Sequence, residues 1–334
     1  MKVVFWGTPQ FAVPSLERLL MHPDFEVVGV VTQPDRRRGR GNQLSPSPVK
    51  AIALEAKVPI WQPERVKKSP ETLAELKALG ADAFVVVAYG QILSKEILEM
   101  PRLGCVNSHG SLLPYYRGAA PIQWSIFHGE TKTGITTMLM DEGMDTGAML
   151  LTVETSIGLF DTTLDVAKRL SHLSGDILLA TLQKLDQGAI APIPQNDEKA
   201  TYAPLIHKPD FALDWSRPAI ALHDQVRAFS PNCVAQFRDR LIKVIETVPL
   251  CTARDQDLPT SYQKLLSSLK SSSQHGQVVT LAKNLGPVVQ TSEGFLLLKT
   301  VQLSGKRQQS GHDFANGLRV TNADTFGNGG NIKK

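Results

Sequence analysis

The chain has 334 residues, 42% of them apolar and 20% charged, enough to bury one large core or two ordinary ones, and its length favours two domains. No run of about 18 apolar residues occurs, which excludes a membrane-spanning helix, and the opening "MKVVFWGTPQF" breaks too soon for a signal peptide and reads as a first strand. Cys105, Cys233 and Cys251 are scattered without a CxxC pair, which argues against a disulfide framework or a structural zinc site and fits a reduced, cytoplasmic protein.

From the N-terminus, "VVFWG" (3–7) predicts a strand, and Phe11, Val13, Leu16, Leu19 and Leu20 then repeat at helical spacing. "FEVVGVVT" (25–32) is a second strand, followed by a helix near 48–57, a short strand near 59–61 and a helix near 70–79. "ADAFVVVAYG" (81–90) has the continuous apolar character of a strand buried on both faces. A short helix (94–99), the strand "GCVNSHG" (104–110) and a helix near 119–128 follow. "TGITTMLMD" and "AMLLTVETS" are too close for a crossover and imply an antiparallel pair, and a long helix near 161–188 closes the first domain. The alternation predicts an α/β fold with a mostly parallel sheet and helices on both faces.

Beyond 206 the texture changes to short strand-like runs with Gly and Ser turns, preceded by one helix, "PAIALHDQVRAF". This predicts a small β-barrel or sandwich. "ARDQDLPTSYQKLLSSLKSSSQHG" reads as a serine-rich loop insertion and residues 321–334 as a disordered tail. The expected domains are therefore 1–206, 207–320 and a tail from 321. The formal charge of +4 divides unevenly: residues 207–334 hold 16 Lys+Arg against 10 Asp+Glu, a net +6, whereas residues 1–206 carry −2. The densest cluster, "RRRGRG" at 36–41, lies in the first part. Such asymmetry fits a polyanionic partner, or simply a basic solvated surface.

A dinucleotide site would want G-x-G-x-x-G after the first strand; the chain has "GTPQFA" there, with one glycine and a proline. Asn107 and His109, by contrast, are two apart in a strand and so project to one side. At the carboxyl edge of an α/β sheet that side is a ligand crevice. An amide donor beside an imidazole can stabilise an oxyanion and move a proton; a buried structural histidine is the plainer reading. "MDEGMDTGAM" (140–149) adds Asp141, Glu142 and Asp145 on a glycine-punctuated loop, where a carboxylate could orient the imidazole or merely make a turn. The oxygen spacing does not suit a calcium loop. No Ser or Cys occupies a nucleophile elbow, so direct transfer without a covalent enzyme intermediate is the simpler inference.

Taken in order, "GTPQFAVPSL", "TQPDRRRGRGNQLSPSPVK", "VVVAYGQILS", "MPRLGCVNSHGSLLPYYRGAAPIQWSI" and "TGITTMLMDEGMDTGAML" resemble the formyltetrahydrofolate-dependent formyltransferases, specifically the family acting on methionyl-tRNA. The resemblance is dense to about residue 205 and recurs through "DWSRPAIALHDQVRAFSP" and "LLLKTVQLSGKR". It implies a Rossmann-like catalytic domain followed by an OB-like barrel. It also implies formyl transfer from 10-formyltetrahydrofolate to the methionine amine of initiator Met-tRNA in translation initiation, without a metal. The catalytic trio then falls on Asn107, His109 and Asp145. Folate contacts fall on Ser111, Leu112, Leu113 and Pro114, on Gly90, Gln91, Ile92 and Leu93, and on Met140, Asp141, Glu142 and Gly143. The tRNA contacts fall on Arg36, Arg37, Arg38, Arg40 and Lys50. The chain departs from the family at "SPNCVAQF" (230–237), where a tryptophan-containing string is usual.

Nothing in the sequence suggests more than a monomer. The rival readings keep the chemistry with another acceptor, either a small amine (glycinamide ribonucleotide, an amino sugar nucleotide) or water, or make the chain a non-catalytic RNA-binding protein. The second domain and the arginine cluster favour tRNA.

Overall fold

The structure is a computed structural model that describes residues 1–38 and 43–329, and the chain clusters into two units. The first comprises Met1–Pro121, Lys132–Ser156 and Asp165–Ala203. Its elements in order are β1 (Lys2–Gly7), α1 (Val13–Met21), β2 (Glu26–Val31), β3 (Arg36–Arg38), β4 (Gln43–Ser45), α2 (Pro48–Glu55), β5 (Ile60–Trp61) and α3 (Pro70–Ala78). There follow β6 (Ala83–Val87), α4 (Lys95–Leu98), β7 (Cys105–His109), β8 (Arg117–Gly118), β9 (Lys132–Leu139), β10 (Met149–Ser156), α6 (Thr163–Asp186, of which Asp165 onward belongs here) and β11 (Tyr202–Ala203), while α5 (Pro121–Phe127) has only its first residue in this unit.

The main sheet runs β10-β9-β7-β6-β1-β2-β5. It is parallel from β7 to β5, and β9 and β10 are added antiparallel. Both faces are buried, and strand alternation shows how. Val3 and Phe5 of β1, with Val85 and Val87 of β6, pack with Leu16 and Leu19 of α1 and Leu178 and Leu182 of α6. Val4 and Trp6, with Phe84 and Val86, pack on the opposite face with Leu73, Leu76, Tyr89, Leu93 and Ile97. A strand whose successive side chains are all apolar has no solvent face, which explains the unbroken runs in β1 and β6. α2 begins where its cap dictates: Ser47 accepts the Lys50 N–H at 3.1 Å and Pro48 occupies the first turn.

The second unit comprises Ile122–Thr131, Ile157–Leu164 and Pro204–Lys334. Two short segments from the first half of the chain therefore fold with the second half, and the cut lies at 203/204. The reason is local packing. Trp124 and Phe127 pack on Phe229, and Arg227 donates to the Gly158 and Asp161 carbonyls. The unit contains α7 (Ala219–Phe229), β12 (Val234–Phe237), β13 (Arg240–Leu250), α8 (Thr260–Ser268), β14 (Val278–Ala282), β15 (Gly286–Gln290), β16 (Phe295–Leu303), β17 (Gln308–Ser310), α9 (Gly311–Gly317) and β18 (Phe326–Gly327).

These strands form one antiparallel sheet, β14-β15-β16-β13-β12-β18, with β17 on β16. It curls until Gln277 and Thr325 bridge its two ends. Closure rests on that single bridge, so the expected barrel is a curled half-barrel. Two expectations fail here. The serine-rich insertion is not all loop: Tyr262, Leu265 and Leu266 of α8 pack against a cluster holding Val248, Leu250 and Leu297. Nor is 321–329 a disordered tail. Phe326 pairs with Phe237 and is 1% exposed, Trp215 donates to the Gly327 carbonyl, and Asn328 donates to Asp214. One large aromatic in an otherwise polar, Gly-rich stretch suffices to fix it. Residues 330–334 lie outside the described residues. Among the described residues no helix is long and apolar enough to cross a membrane.

Candidate active site

β7 ends at His109, at the carboxyl edge of the parallel sheet. Alternation sorts its residues: Val106 joins the α6 side, and Ser108 Oγ lies 2.7 Å from Ser174 Oγ of α6. Cys105 packs with Phe84 and Leu93 on the other face. Asn107 and His109, of the same parity as Cys105, therefore face the Leu93 side, opposite Met138 and Thr136 of β9. Both are buried, at 8% and 6% exposure.

The His109 ring is oriented by its surroundings. Nε2 is 2.9 Å from the Tyr116 carbonyl oxygen. A carbonyl only accepts, so Nε2 carries the hydrogen in the neutral ring and Nδ1 keeps its lone pair. Nδ1 faces Asp145 Oδ2 at 3.6 Å, and the same oxygen accepts the Gly118 N–H at 2.8 Å. Nδ1 and Oδ2, both acceptors here, make His109 and Asp145 a facing dyad.

Asp145 reaches this position on the 140–148 loop, closed by Leu139 N–H donating to Ala148 O. Within it Asp141 Oδ1 accepts from Gly143 N–H (3.0 Å) and Thr146 Oγ1 (2.7 Å), an Asx turn. Asp145 itself has a positive φ of 55°. Gly147 has no alternative residue, since a Cβ there would lie 1.7 Å from the Leu139 carbonyl oxygen.

The segments expected to hold folate are distributed on the same face of the sheet. Leu93 belongs to the apolar cluster there, and Met140 packs against it. The 111–114 turn folds over β9: Thr136 Oγ1 donates to Ser111 O (2.8 Å) and accepts the Leu113 N–H (3.1 Å). Leu112 lies over Gly134, and Pro114 follows a cis peptide. Gly90 and Ile92 are exposed, as are Asp141, Glu142 and Gly143. Gln91 has another task, since its side chain bonds to the backbone of Pro63, Glu64 and Val66. Ser111 Oγ donates to the Tyr115 carbonyl, and burial pushes the Cys105 thiol up to about 12, so neither offers a nucleophile.

The cationic residues separate. Arg36 lines a cavity of about 280 Å³ with Thr8, Gln33, Ala88 and Gly90, beyond the carboxyl ends of β1, β2 and β6, where the strand order reverses. Arg37 and Arg38 continue β3, paired with Leu44 and Gln43 of β4. Arg40 lies outside the described residues. Lys50 is in the first turn of α2, its ammonium 2.6 Å from Asp35 Oδ2. That contact, with a Gln62 bond, holds the Asp35 carboxyl below its usual range. Lys50 is thus committed to an ion pair rather than to the arginine cluster.

Two residues beside the dyad, Thr136 and Gln195, escaped the sequence reading. Arg117, which stands in the N-x-H segment itself, is 2% exposed, and a buried arginine beside a glycine carries no periodic signal of what it holds. Among the described residues no cluster of three or more His, Cys, Asp or Glu could hold a metal.

Comparison with known proteins finds two family matches, "Formyl transferase" over residues 1–182 and "Formyl transferase, C-terminal domain" over residues 205–319. A protein of Trichormus variabilis named methionyl-tRNA formyltransferase is 60% identical over 98% of this chain and 100% of its own length. One of the same name from Synechocystis is 56% identical over 96% of this chain and 98% of its own. Among solved structures, the N-formyltransferase of Helicobacter canadensis in complex with folinic acid and dTDP-3-aminofucose has a TM-score of 0.62 at 18% identity, covering 91% of this chain and 99% of that one. HypX of Aquifex aeolicus, solved with tetrahydrofolic acid, has a TM-score of 0.57 at 13% identity over 94% of this chain and 47% of its own. At such identities the structural likeness concerns the fold.

Proposed function

The chain belongs to the methionyl-tRNA formyltransferase family, and from that premise we propose that it transfers the formyl group of 10-formyltetrahydrofolate to the α-amino group of methionine on initiator Met-tRNA. The observation that carries the reading is the placement of Asn107 and His109 on one face at the end of β7, with the Asp145 carboxylate 3.6 Å from the free imidazole nitrogen.

When bound, the folate supplies an activated formyl carbon. Everything else falls to the protein. The amine attacks as a free base, negative charge grows on the formyl oxygen, and a proton leaves the new ammonium. The Asn107 amide donates to that oxygen. His109 takes the proton at Nδ1, Asp145 stabilises the resulting imidazolium, and the proton passes on to the folate nitrogen as its bond to the formyl carbon breaks and the oxyanion returns to a carbonyl. The fit of a pterin rests on the donor set: an apolar wall from Leu93, Leu112 and Met140, with backbone groups of the exposed 90–92 and 141–143 segments for the ring edge. Ser111 and Pro114 shape this wall, Leu113 is buried behind it, and Gln91 braces the neighbouring loop.

On the acceptor side, Arg36, Arg37, Arg38 and Arg40 contact tRNA phosphates, a salt-sensitive contribution, and the basic second unit supplies further cations; we leave Lys50 out of this set. We read the enzyme as a cytoplasmic monomer, in keeping with its three free, buried thiols. Small amines or water as acceptor are disfavoured by relatives of such identity that are named for Met-tRNA.

The test is formyl transfer to charged initiator tRNA. Asn107→Ala should lower kcat by on the order of 10²-fold with little change in either KM. His109→Ala should abolish the turnover that a non-catalytic RNA-binding protein would never have shown. No transfer by the parent chain would end the proposal.

A further inference from the structure

We infer that Gln195 is a positioning residue that sets Asp145 against His109, and that Arg117 holds Gln195 to this task; the inference rests on the catalytic reading above.

Asp145 needs to be held. Its loop projects residues 141–144 into solvent, and its own backbone sits in a region that side chains rarely adopt. Gln195 supplies the restraint. Its Nε2 donates to the Asp145 carbonyl and to the Gly147 carbonyl, both at 2.8 Å, so its two amide hydrogens staple the loop on either side of Thr146. Its Oε1 accepts from Arg117 Nε at 2.9 Å. The amide orientation is forced, because a guanidinium has no acceptor and a carbonyl has no donor. Arg117 is itself fixed. Its side chain is 2% exposed, and a guanidinium nitrogen lies 2.8 Å from Asp197 Oδ1. A buried guanidinium without partners would be costly, so this arrangement is locked as a set.

Three consecutive residues, Tyr116 to Gly118, tie the two halves of the dyad together. Tyr116 O takes the His109 Nε2 hydrogen, Gly118 N–H binds Asp145 Oδ2, and the Arg117 side chain between them leads through Gln195 to the Asp145 backbone. The separation of Nδ1 from Oδ2, 3.6 Å, lies just beyond hydrogen-bond range. A shift of a few tenths of an ångström decides whether the proton bridge closes.

The experiment uses the full chain and compares Gln195→Leu, which keeps volume and removes both donors, in the parent and in an Asp145→Asn background. In the parent, kcat should fall about 10-fold to 10²-fold with donor and Met-tRNA KM within about twofold, since misplacement alone costs that much. In the Asp145→Asn background the same substitution should change kcat by less than about twofold, because the group it positions is already gone. Equal losses in both backgrounds would overturn the inference, since Gln195 would then act on the fold and not through Asp145. A second readout needs no turnover: the ¹⁵N resonance of His109 Nδ1 in histidine-labelled protein, assigned by its loss in His109→Gln. Asp145→Asn and Gln195→Leu should move it the same way, with Gln195→Leu adding nothing to Asp145→Asn. A resonance untouched by Gln195→Leu refutes the positioning role even in an active formyltransferase. A matching shift in a chain that formylates nothing would uphold it while the proposed function failed. Should Gln195→Leu not fold, Gln195→Glu keeps the Arg117 contact, loses the donors, and is held to the same outcomes.

Discussion

Thr136→Val isolates one hydroxyl. Thr136 is fully buried, and its Oγ1 both donates to Ser111 O and accepts the Leu113 N–H, so it pins the 111–114 turn to β9. Valine fills the same space and leaves two backbone groups without a partner, one on the fully buried Ser111 and one on Leu113 at 7% exposure. Each unsatisfied buried group costs about 1–3 kcal/mol, and local adjustment recovers part of the sum, giving about 2–4 kcal/mol. For a unit of this size that corresponds to a fall in midpoint on the order of 5–10 °C. Calorimetric unfolding measures it. Because the turn forms part of the proposed folate wall, the donor KM should rise several-fold while the Met-tRNA KM stays put. Thr136→Ser, which keeps the hydroxyl, should restore both. A valine variant that unfolds within about 1 °C of the parent would show that the turn is held by packing and not by this hydroxyl.

His223 should make the second unit acid-sensitive. Its Nε2 donates to the Leu159 carbonyl and its Nδ1 meets the Thr247 hydroxyl. Burial, with Arg227 and Arg254 nearby, pushes its pKa down to about 3. Below about pH 6.5 the unfolded chain binds a proton here that the folded protein refuses, so this contribution is complete above 6.5 and falls by about 1 kcal/mol per pH unit toward 3. Urea titrations at pH 4.5–6.5 should show a shallower fall for His223→Gln; parallel falls would clear His223 of the effect. Arg36→Ala should raise the Met-tRNA KM and reduce its salt slope by about one, leaving the donor KM alone. An unchanged slope would remove Arg36 from the phosphate contacts.

What could be read in the sequence had a period. β1 and β6 show continuous apolar runs because both their faces are covered, and Asn107 and His109 lie two apart because a strand has period two. β9 and β10 follow from a connection too short for a crossover. Elsewhere local composition gave the wrong answer. Serines between Cys251 and Gly276 suggested a loop, yet Tyr262, Leu265 and Leu266 at helical spacing were enough to seat α8 on the second sheet. The Gly- and Asn-rich end suggested disorder, yet Phe326 with its aromatic neighbours Trp215, Phe237 and Phe314 outweighs it. Local polarity says nothing of a partner more than 80 residues away.

The residues that give the dyad its roles are of this second kind. Gln195 lies 78 positions from Arg117 and 50 from Asp145, in a segment whose sequence, "IPQNDE", advertises only a loop. The physical account is that a catalytic group is chosen by its chemistry, which a sequence displays, whereas its protonation state and aim are fixed by backbone carbonyls and N–H groups, which every residue carries. His109 would be an ambiguous imidazole if Tyr116 did not offer a carbonyl to Nε2. Asp145 would be a turn residue if Gly118 did not offer its N–H to Oδ2. Because one ring nitrogen is already spent, the imidazole has a single nitrogen for the proton and none spare for the formyl oxygen. In the proposed mechanism that leaves the oxygen to Asn107, so that the two members of N-x-H would do different work despite sharing one face.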